Sequence, residues 1–286
     1  CMDDLIDALS RSTGLPAAIL DDRQQLDTGD LRRYFSERIM GQPEAVDCVI
    51  DRIGIIKAGL ADPTRPQGVF LFAGPTGTGK TEIAKALAGY LFGAEDRLLR
   101  YDMSEFQTPD SLERLVGDGQ QLDRESLTLK IRKQPFSVIL LDEFESFAAN
   151  RGGAHLNWEV SQVNELLTQL EHYSGRVIAC TNIVDYLDPA IRRRFHLKVE
   201  ILPLTVEQRC RLFSEFSRRL GLKKRRGVAP EFWVGTLDGL CYGHFANAAR
   251  VANNLSGMNL EQFADLLAQE LKSTNGKRAN PIGFAA

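Results

Sequence analysis

The stretch Gly74-Pro75-Thr76-Gly77-Thr78-Gly79-Lys80-Thr81 joins three glycines to a lysine and a threonine at fixed spacing. Glycines at such positions let backbone N–H groups turn inward on phosphate oxygens, and a helix opening there adds the positive end of its dipole. In the pattern G-x-x-x-x-G-K-T, the lysine (Lys80) reaches the β- and γ-phosphates and the threonine hydroxyl (Thr81) ligates Mg²⁺. A second chemical pair, Asp142-Glu143, follows the apolar run "SVILL". A buried strand would deliver Asp142 beside the phosphate loop, where it holds Mg²⁺, mostly through water. Glu143, one residue on, can polarise an attacking water; a kinase does not need that adjacent carboxylate and a hydrolase does. Thr181-Asn182 ends another apolar run, "VIAC". An asparagine there can orient the lytic water or touch the γ-phosphate. Arg192, Arg193 and Arg194 precede Phe195, and arginine suits the charge that develops on a transferring phosphoryl group, in its own subunit or another's. Arg250 sits on a later helical pattern, from which it could reach back over the nucleotide.

Such groups need a scaffold that brings strand ends together. "VFLFA" (69–73), "SVILL" (137–141) and "VIAC" (177–180) are almost wholly apolar, as strands buried on both faces are. "LLRYD" (98–102) and "LKVEI" (197–201) carry charges and read as sheet edges. Amphipathic helices fall between them, with Ile83, Leu87 and Leu91 on one stripe and Val160, Val163, Leu167 and Leu170 on another. The pattern predicts an α/β sandwich with at least five strands. A helix is expected from Gln42 to Leu60, ended by Pro63 and Pro66. After Pro203 the strands stop. Thr205 with Gln208 forms a capping-box pattern before the stripe Leu212, Phe213, Phe216, and Gly221 ends that helix. Further helical patterns over 229–240, 244–255 and 259–272 complete a small all-helical domain. The expected organisation is a linker segment over 1–35, a large α/β domain over 36–203, a helical lid over 204–274 and a tail over 275–286.

Thirty-five basic against 38 acidic residues give a formal charge of −3, which argues against nucleic acid as the main partner. No apolar run approaches the ~18 residues of a membrane span. Five scattered cysteines without a C-x-x-C pair read as reduced thiols of a cytoplasmic protein, and the four histidines show no zinc-ligand spacing.

On these motifs the chain resembles the AAA+ ATPases. Up to about residue 143 it is similar to the second ATPase module of Clp-type protein-remodelling chaperones, through "SRSTGLPAAIL" (10–20), "IMGQPEAV" (39–46), the phosphate-loop stretch and "YDMSEF". "NWEVSQVNELLTQLE", "LDPAIRRRFHLKVEI" and "GHFANAARVA" look more like the AAA subgroup proper. The resemblance implies a P-loop NTPase parallel sheet of five strands in the order 5-1-4-3-2, flanked by helices, with a helical lid. It implies ATP and Mg²⁺ as ligands, and a homo-oligomeric ring, usually of six, with nucleotide between subunits. Ile39 and Met40 would flank adenine. Gly74, Pro75, Thr76, Gly77, Thr78, Gly79, Lys80 and Thr81 would bind phosphate, and Thr81 and Asp142 the metal. Glu143 would match the catalytic glutamate, Asn182 the first sensor and Arg250 the second. Arg194 would match the arginine finger and Arg193 the second finger of the AAA subgroup. The linker match further implies that another ATPase module precedes this one.

The sequence departs from the resemblance at one place. Clp-type unfoldases carry an aromatic residue in the loop after the second strand, where it grips threaded polypeptide. Here "ERLVGDGQQLD" (113–123) is polar, and no Phe, Tyr or Trp occurs between Phe106 and Phe136. The expected function is therefore an ATP-hydrolysing module that remodels a protein partner without the aromatic grip. The alternatives are a nucleotide-gated switch or scaffold and, with least support, a nucleic-acid motor using the basic run 218–226 or the loop at 151–157.

Overall fold

The computed structural model describes residues 1–21, 23, 27–60, 68–106, 108, 111, 115, 126–148, 166, 168, 176–182, 187, 189–195, 197–222, 229–255 and 257–276. They divide into two compact units, Cys1–Gly74 with Lys80–Ile201, and Pro75–Gly79 with Leu202–Ala286. The loop at 116–125, the segment 149–165, the basic residues 223–226 and the tail from 277 lie outside the described residues.

The first unit opens with helices α1 (Met2–Thr13), α2 (Ala17–Leu20), α3 (Thr28–Arg38) and α4 (Pro43–Lys57). Strand β1 (Gly68–Ala73) leads to α5 (Lys80–Phe92), then β2 (Leu98–Asp102), α6 (Leu127–Lys133) and β3 (Val138–Asp142). Helix α7 (Phe144–Ala148), β4 (Arg176–Thr181), α8 (Pro189–Arg194) and β5 (Leu197–Glu200) follow. The five strands pair in parallel in the order β2-β3-β4-β1-β5. This is the expected order, and the two strands read as edges from their charges are the edges.

Strand alternation divides the core into two clusters. Phe70, Phe72, Val138, Leu140, Ile178 and Cys180 join the first, with side chains of α3, α4 and α5. Val69, Leu71, Ile139, Leu141, Val177 and Ala179 join the second, with Leu115, Phe144 and Phe195. Full burial of each large apolar side chain contributes about 1.5–3 kcal/mol. α3 begins in the segment read as a linker and crosses its boundary at 35, and it commits Leu31 and Phe35, both 0% exposed, to the first cluster. Its N-terminus is fixed by the Asp27 side chain, which accepts from the N–H groups of Gly29 and Asp30. α4 ends at Lys57, earlier than the prolines suggested, and Gly59 takes up a left-handed φ of 67° two residues later.

The second unit contains α9 (Val206–Arg219), α10 (Pro230–Val234), α11 (Tyr242–Asn253) and α12 (Leu260–Gly276). The capping box of α9 is formed: Gln208 N–H donates to Thr205 Oγ1 and Thr205 N–H to Gln208 Oε1. Leu212, Phe213 and Phe216 are buried, and Phe213 stacks on Phe263 of α12 at 5.6 Å. α10 is shorter than the pattern over 229–240 predicts. Gly235 follows its last residue, and Gly239 adopts φ 90°, outside the helical region.

Candidate active site

The alternation that divides the core also aims the polar residues beyond the strand ends. On β3, Asp142 continues the parity of Val138 and Leu140; past β4, Asn182 continues that of Ile178 and Cys180. Both parities face the cluster that contains α5. The two groups therefore meet the first turn of α5, where Lys80 and Thr81 lie.

Lys80 is 8% exposed, and its Nζ donates to the Gly74 carbonyl and, at 2.9 Å, to Asn182 Oδ1. Asn182 Nδ2 in turn donates to Glu145 Oε1 at 2.9 Å. Thr81 Oγ1 donates to Asp142 Oδ2 at 3.5 Å, and the Arg100 guanidinium donates to the same oxygen at 2.8 Å. Asp142 Oδ1 accepts the Glu143 N–H at 3.2 Å. Gly74 has a steric reason to be glycine, since a Cβ there would stand 2.0 Å from the Ile201 carbonyl oxygen.

Among the described residues, Glu143 is the one non-glycine with positive φ, at 51°. A left-handed residue costs about 1–2 kcal/mol and persists where its surroundings fix it. Here its N–H is bound to Asp142, and the next residue, Phe144, is fully buried edge-to-face against Phe195 at 5.6 Å. Burial first, then the charges of Asp102, Glu145 and Asp142, raise the Glu143 pKa, and Arg100 opposes them. A carboxylate raised toward neutrality is the better general base.

The donor set suits Mg²⁺, which takes oxygen ligands and keeps several waters. A hydroxyl and a carboxylate oxygen converge 3.5 Å apart, beside a buried lysine able to reach phosphate. Among the described residues no group of three His, Cys, Asp or Glu could hold a metal by itself, so phosphate and water would complete the shell.

In the second unit, Thr78 Oγ1 closes the loop tip onto the Pro75 carbonyl at 2.8 Å. Thr76 and Gly77 are exposed and Gly79 is half-buried. The Gly77 carbonyl accepts the Gly243 N–H at 2.9 Å, and a Cβ on Gly243 would meet Gly77 Cα at 2.9 Å. That contact lies at the start of α11, whose N-cap is Cys241 and whose third residue, His244, is buried and reaches back to it. His244 Nδ1 accepts the Cys241 N–H at 2.9 Å, and its Nε2 faces Thr274 Oγ1 at 3.1 Å. Burial lowers its pKa.

The remaining expected residues stand on other elements. Ile39 is 6% exposed in the first core cluster and caps α3, with Met40 half-buried beside it. Arg193 is exposed and Arg194 half-buried on α8. Arg250 is exposed on α11, about 10 Å along the helix from Gly243 at 1.5 Å per residue. It lines a groove of about 400 Å³ with Phe216, Arg219 and Tyr242. Sequence reasoning did not single out Arg100, Asp102, Glu145 or Gly243. For Arg100 a signal existed. It shares strand parity with Leu98, which packs on the first cluster, and with Asp102, so its charge faces the Asp142 side of the sheet.

A buried lysine opening the helix after β1, with an acid pair at the end of a strand one removed from β1 in a parallel sheet, is the arrangement of a P-loop NTPase fold. Residues 70–202 match the model of the AAA family, the ATPase family associated with various cellular activities. The chain is 44% identical over 147 residues to the chaperone protein ClpB of Lactiplantibacillus plantarum and 43% identical over 152 residues to that of Bacillus cereus. Each match covers 50% of this chain and 17% of the relative's length. Among solved structures, the closed state of Hsp104 with ATPγS and FITC casein superposes with a TM-score of 0.58 over 95% of this chain and 50% of that one, at 20% identity. The Saccharomyces cerevisiae Hsp104–ADP complex gives 0.58 over 77% of this chain and 35% of that one, at 23% identity. These two likenesses establish the fold.

Proposed function

We propose that this chain binds Mg·ATP at the carboxyl edge of its sheet, hydrolyses it, and uses the cycle to remodel a protein partner. Gly74 to Thr81 cradle the phosphates, Thr81 and Asp142 hold Mg²⁺, Glu143 activates water and Asn182 assists it. Ile39 and Met40 flank the base, Arg193 and Arg194 act on the nucleotide of a neighbouring copy in a ring, and Arg250 senses nucleotide. The observation that carries the reading is the convergence of Lys80, Thr81, Asp142 and Asn182 through hydrogen bonds of 2.9 to 3.5 Å, with Glu143 locked beside them. Support for a protein partner comes from the ClpB relatives and from the casein named with Hsp104. A cytoplasmic setting agrees with the free cysteines, and among the described residues no helix is long and apolar enough to cross a membrane.

The test is phosphate release by the purified chain together with nucleotide binding. The wild type releases phosphate from ATP, and Lys80→Ala loses ATP binding at least tenfold. Unchanged binding by that variant contradicts the assignment. A second reading, a nucleotide-gated switch, is favoured by the lack of an aromatic residue between Phe106 and Phe136. An ATP-dependent assay with a tagged, stably folded protein separates the two, since a switch leaves that protein folded.

A further inference from the structure

Asn182 stands between a group that only donates and a group that only accepts. The Lys80 ammonium offers no acceptor, and the ionised Glu145 carboxylate offers no donor. One orientation of the amide satisfies both, with Oδ1 toward Lys80 Nζ and Nδ2 toward Glu145 Oε1, each at 2.9 Å. Turned over, the amide would set N–H groups against an ammonium and a carbonyl against a carboxylate. The Glu145 carboxylate is committed to this contact, because its other oxygen, Oε2, is buried and without a hydrogen-bond partner among the described residues. Its backbone is held in place from the core, since Phe144 is 0% exposed and packs on Phe195.

We propose that Glu145 is a positioning residue for Asn182, keeping the amide's acceptor oxygen turned to the Lys80 side and its NH₂ group turned away. The inference rests on reading Asn182 as a catalytic group. Sequence left two roles open to that residue. Contact with a phosphate oxygen requires donation from Nδ2, and Glu145 takes one of its two N–H groups and fixes the direction of the other. Alignment of an attacking water requires an acceptor, and Oδ1 is the atom presented. When phosphate draws the lysine, the oxygen that Lys80 occupied becomes the acceptor for that water's proton. Glu145 thereby holds the amide in the orientation that the water-aligning role needs.

A double-mutant cycle on the full chain tests this, with phosphate release, ATP dissociation constants, melting temperatures and side-chain NMR as readouts. Glu145→Gln keeps a carbonyl acceptor but loses the charge that strengthens the bond. It lowers kcat about tenfold, with ATP affinity and melting temperature nearly unchanged. The pair Glu145→Gln/Asn182→Ala is no slower than Asn182→Ala alone, because both remove the same contact. Multiplied losses, or a loss carried by affinity or melting temperature, overturn the inference. The Asn182 side-chain NH₂ signal, assigned by its disappearance in Asn182→Ala, is protected from hydrogen exchange in the wild type and loses about tenfold of that protection in Glu145→Gln. An unprotected NH₂ overturns the inference whether or not the chain turns over ATP. A protected NH₂ in a chain without turnover overturns instead the hydrolytic reading of the site.

Discussion

At the carboxyl edge of the sheet, the charged side chains hold one another. Lys80 is bound to Asn182, Asn182 to Glu145, and Asp142 to both Thr81 and Arg100. On α8 and α11 the arginines are arranged differently, with Arg193 and Arg250 open to solvent. The two regions teach a distinction in how charge is prepared for work. Groups at the sheet edge have their orientation fixed during folding, which is what electrostatic preorganisation requires. A group that completes another copy's site must stay exposed until that copy arrives, and an exposed arginine on a short helix meets that condition.

The largest effect that could break this comparison is on the arginine side. Arg193→Ala should lower turnover by roughly 10³-fold while ATP binding persists. Mixed with Glu143→Gln, it should give a mixture more active than either variant alone, because each supplies what the other lacks. No gain on mixing would place the arginine's action within one copy and remove the distinction.

A pH experiment sharpens the sheet-edge side. The Glu143 pKa is raised by burial and next by the Asp102 charge. A general base works deprotonated, so the rate falls as pH drops through that pKa. Asp102→Asn removes one of the charges that raise it, and the acidic limb of the pH–rate profile should move to lower pH. The amide oxygen can still accept from the Ser104 N–H and hydroxyl, as Asp102 Oδ1 does at 3.0 and 2.6 Å, so the fold need not change. A limb that stays in place or moves upward contradicts the electrostatic account.

The smallest effect serves as a control in the second unit. Arg209 is 2% exposed and donates to Asp238 at 2.9 Å, while its Nε and a second terminal nitrogen are buried without partners among the described residues. Asp238 is itself solvent-exposed, so Asp238→Ala should destabilise the chain by only about 1 kcal/mol in thermal melts. kcat below the melting range should be unaffected.

Much of the sheet was legible because its signal is local and redundant. Three apolar runs give buried strands, and the charges of "LLRYD" and "LKVEI" mark edges, since an edge strand tolerates polar side chains that a central one does not. The phosphate loop was legible for a related reason. Its glycines answer steric and backbone demands, as the 2.0 Å approach of Ile201 to a Cβ at Gly74 illustrates. The contacts between distant residues were not legible. Glu145 lies two residues from Glu143, but its partner Asn182 is 37 positions away and meets it only because β3 and β4 are neighbours. Arg100 read as an edge marker because a charge on an outer strand already has a sufficient explanation in solvation. The turn that shortens α10 was hidden by apolar residues continuing past Gly235 at helical spacing.

The proposed hydrolysis at the sheet edge depends on Glu143. Glu143→Gln, measured for ATP binding and for phosphate release in the same preparation, tests it most directly. ATP affinity should stay within about threefold of the wild type while the rate falls by roughly 10²–10⁴-fold. Phosphate release at the wild-type rate would contradict it.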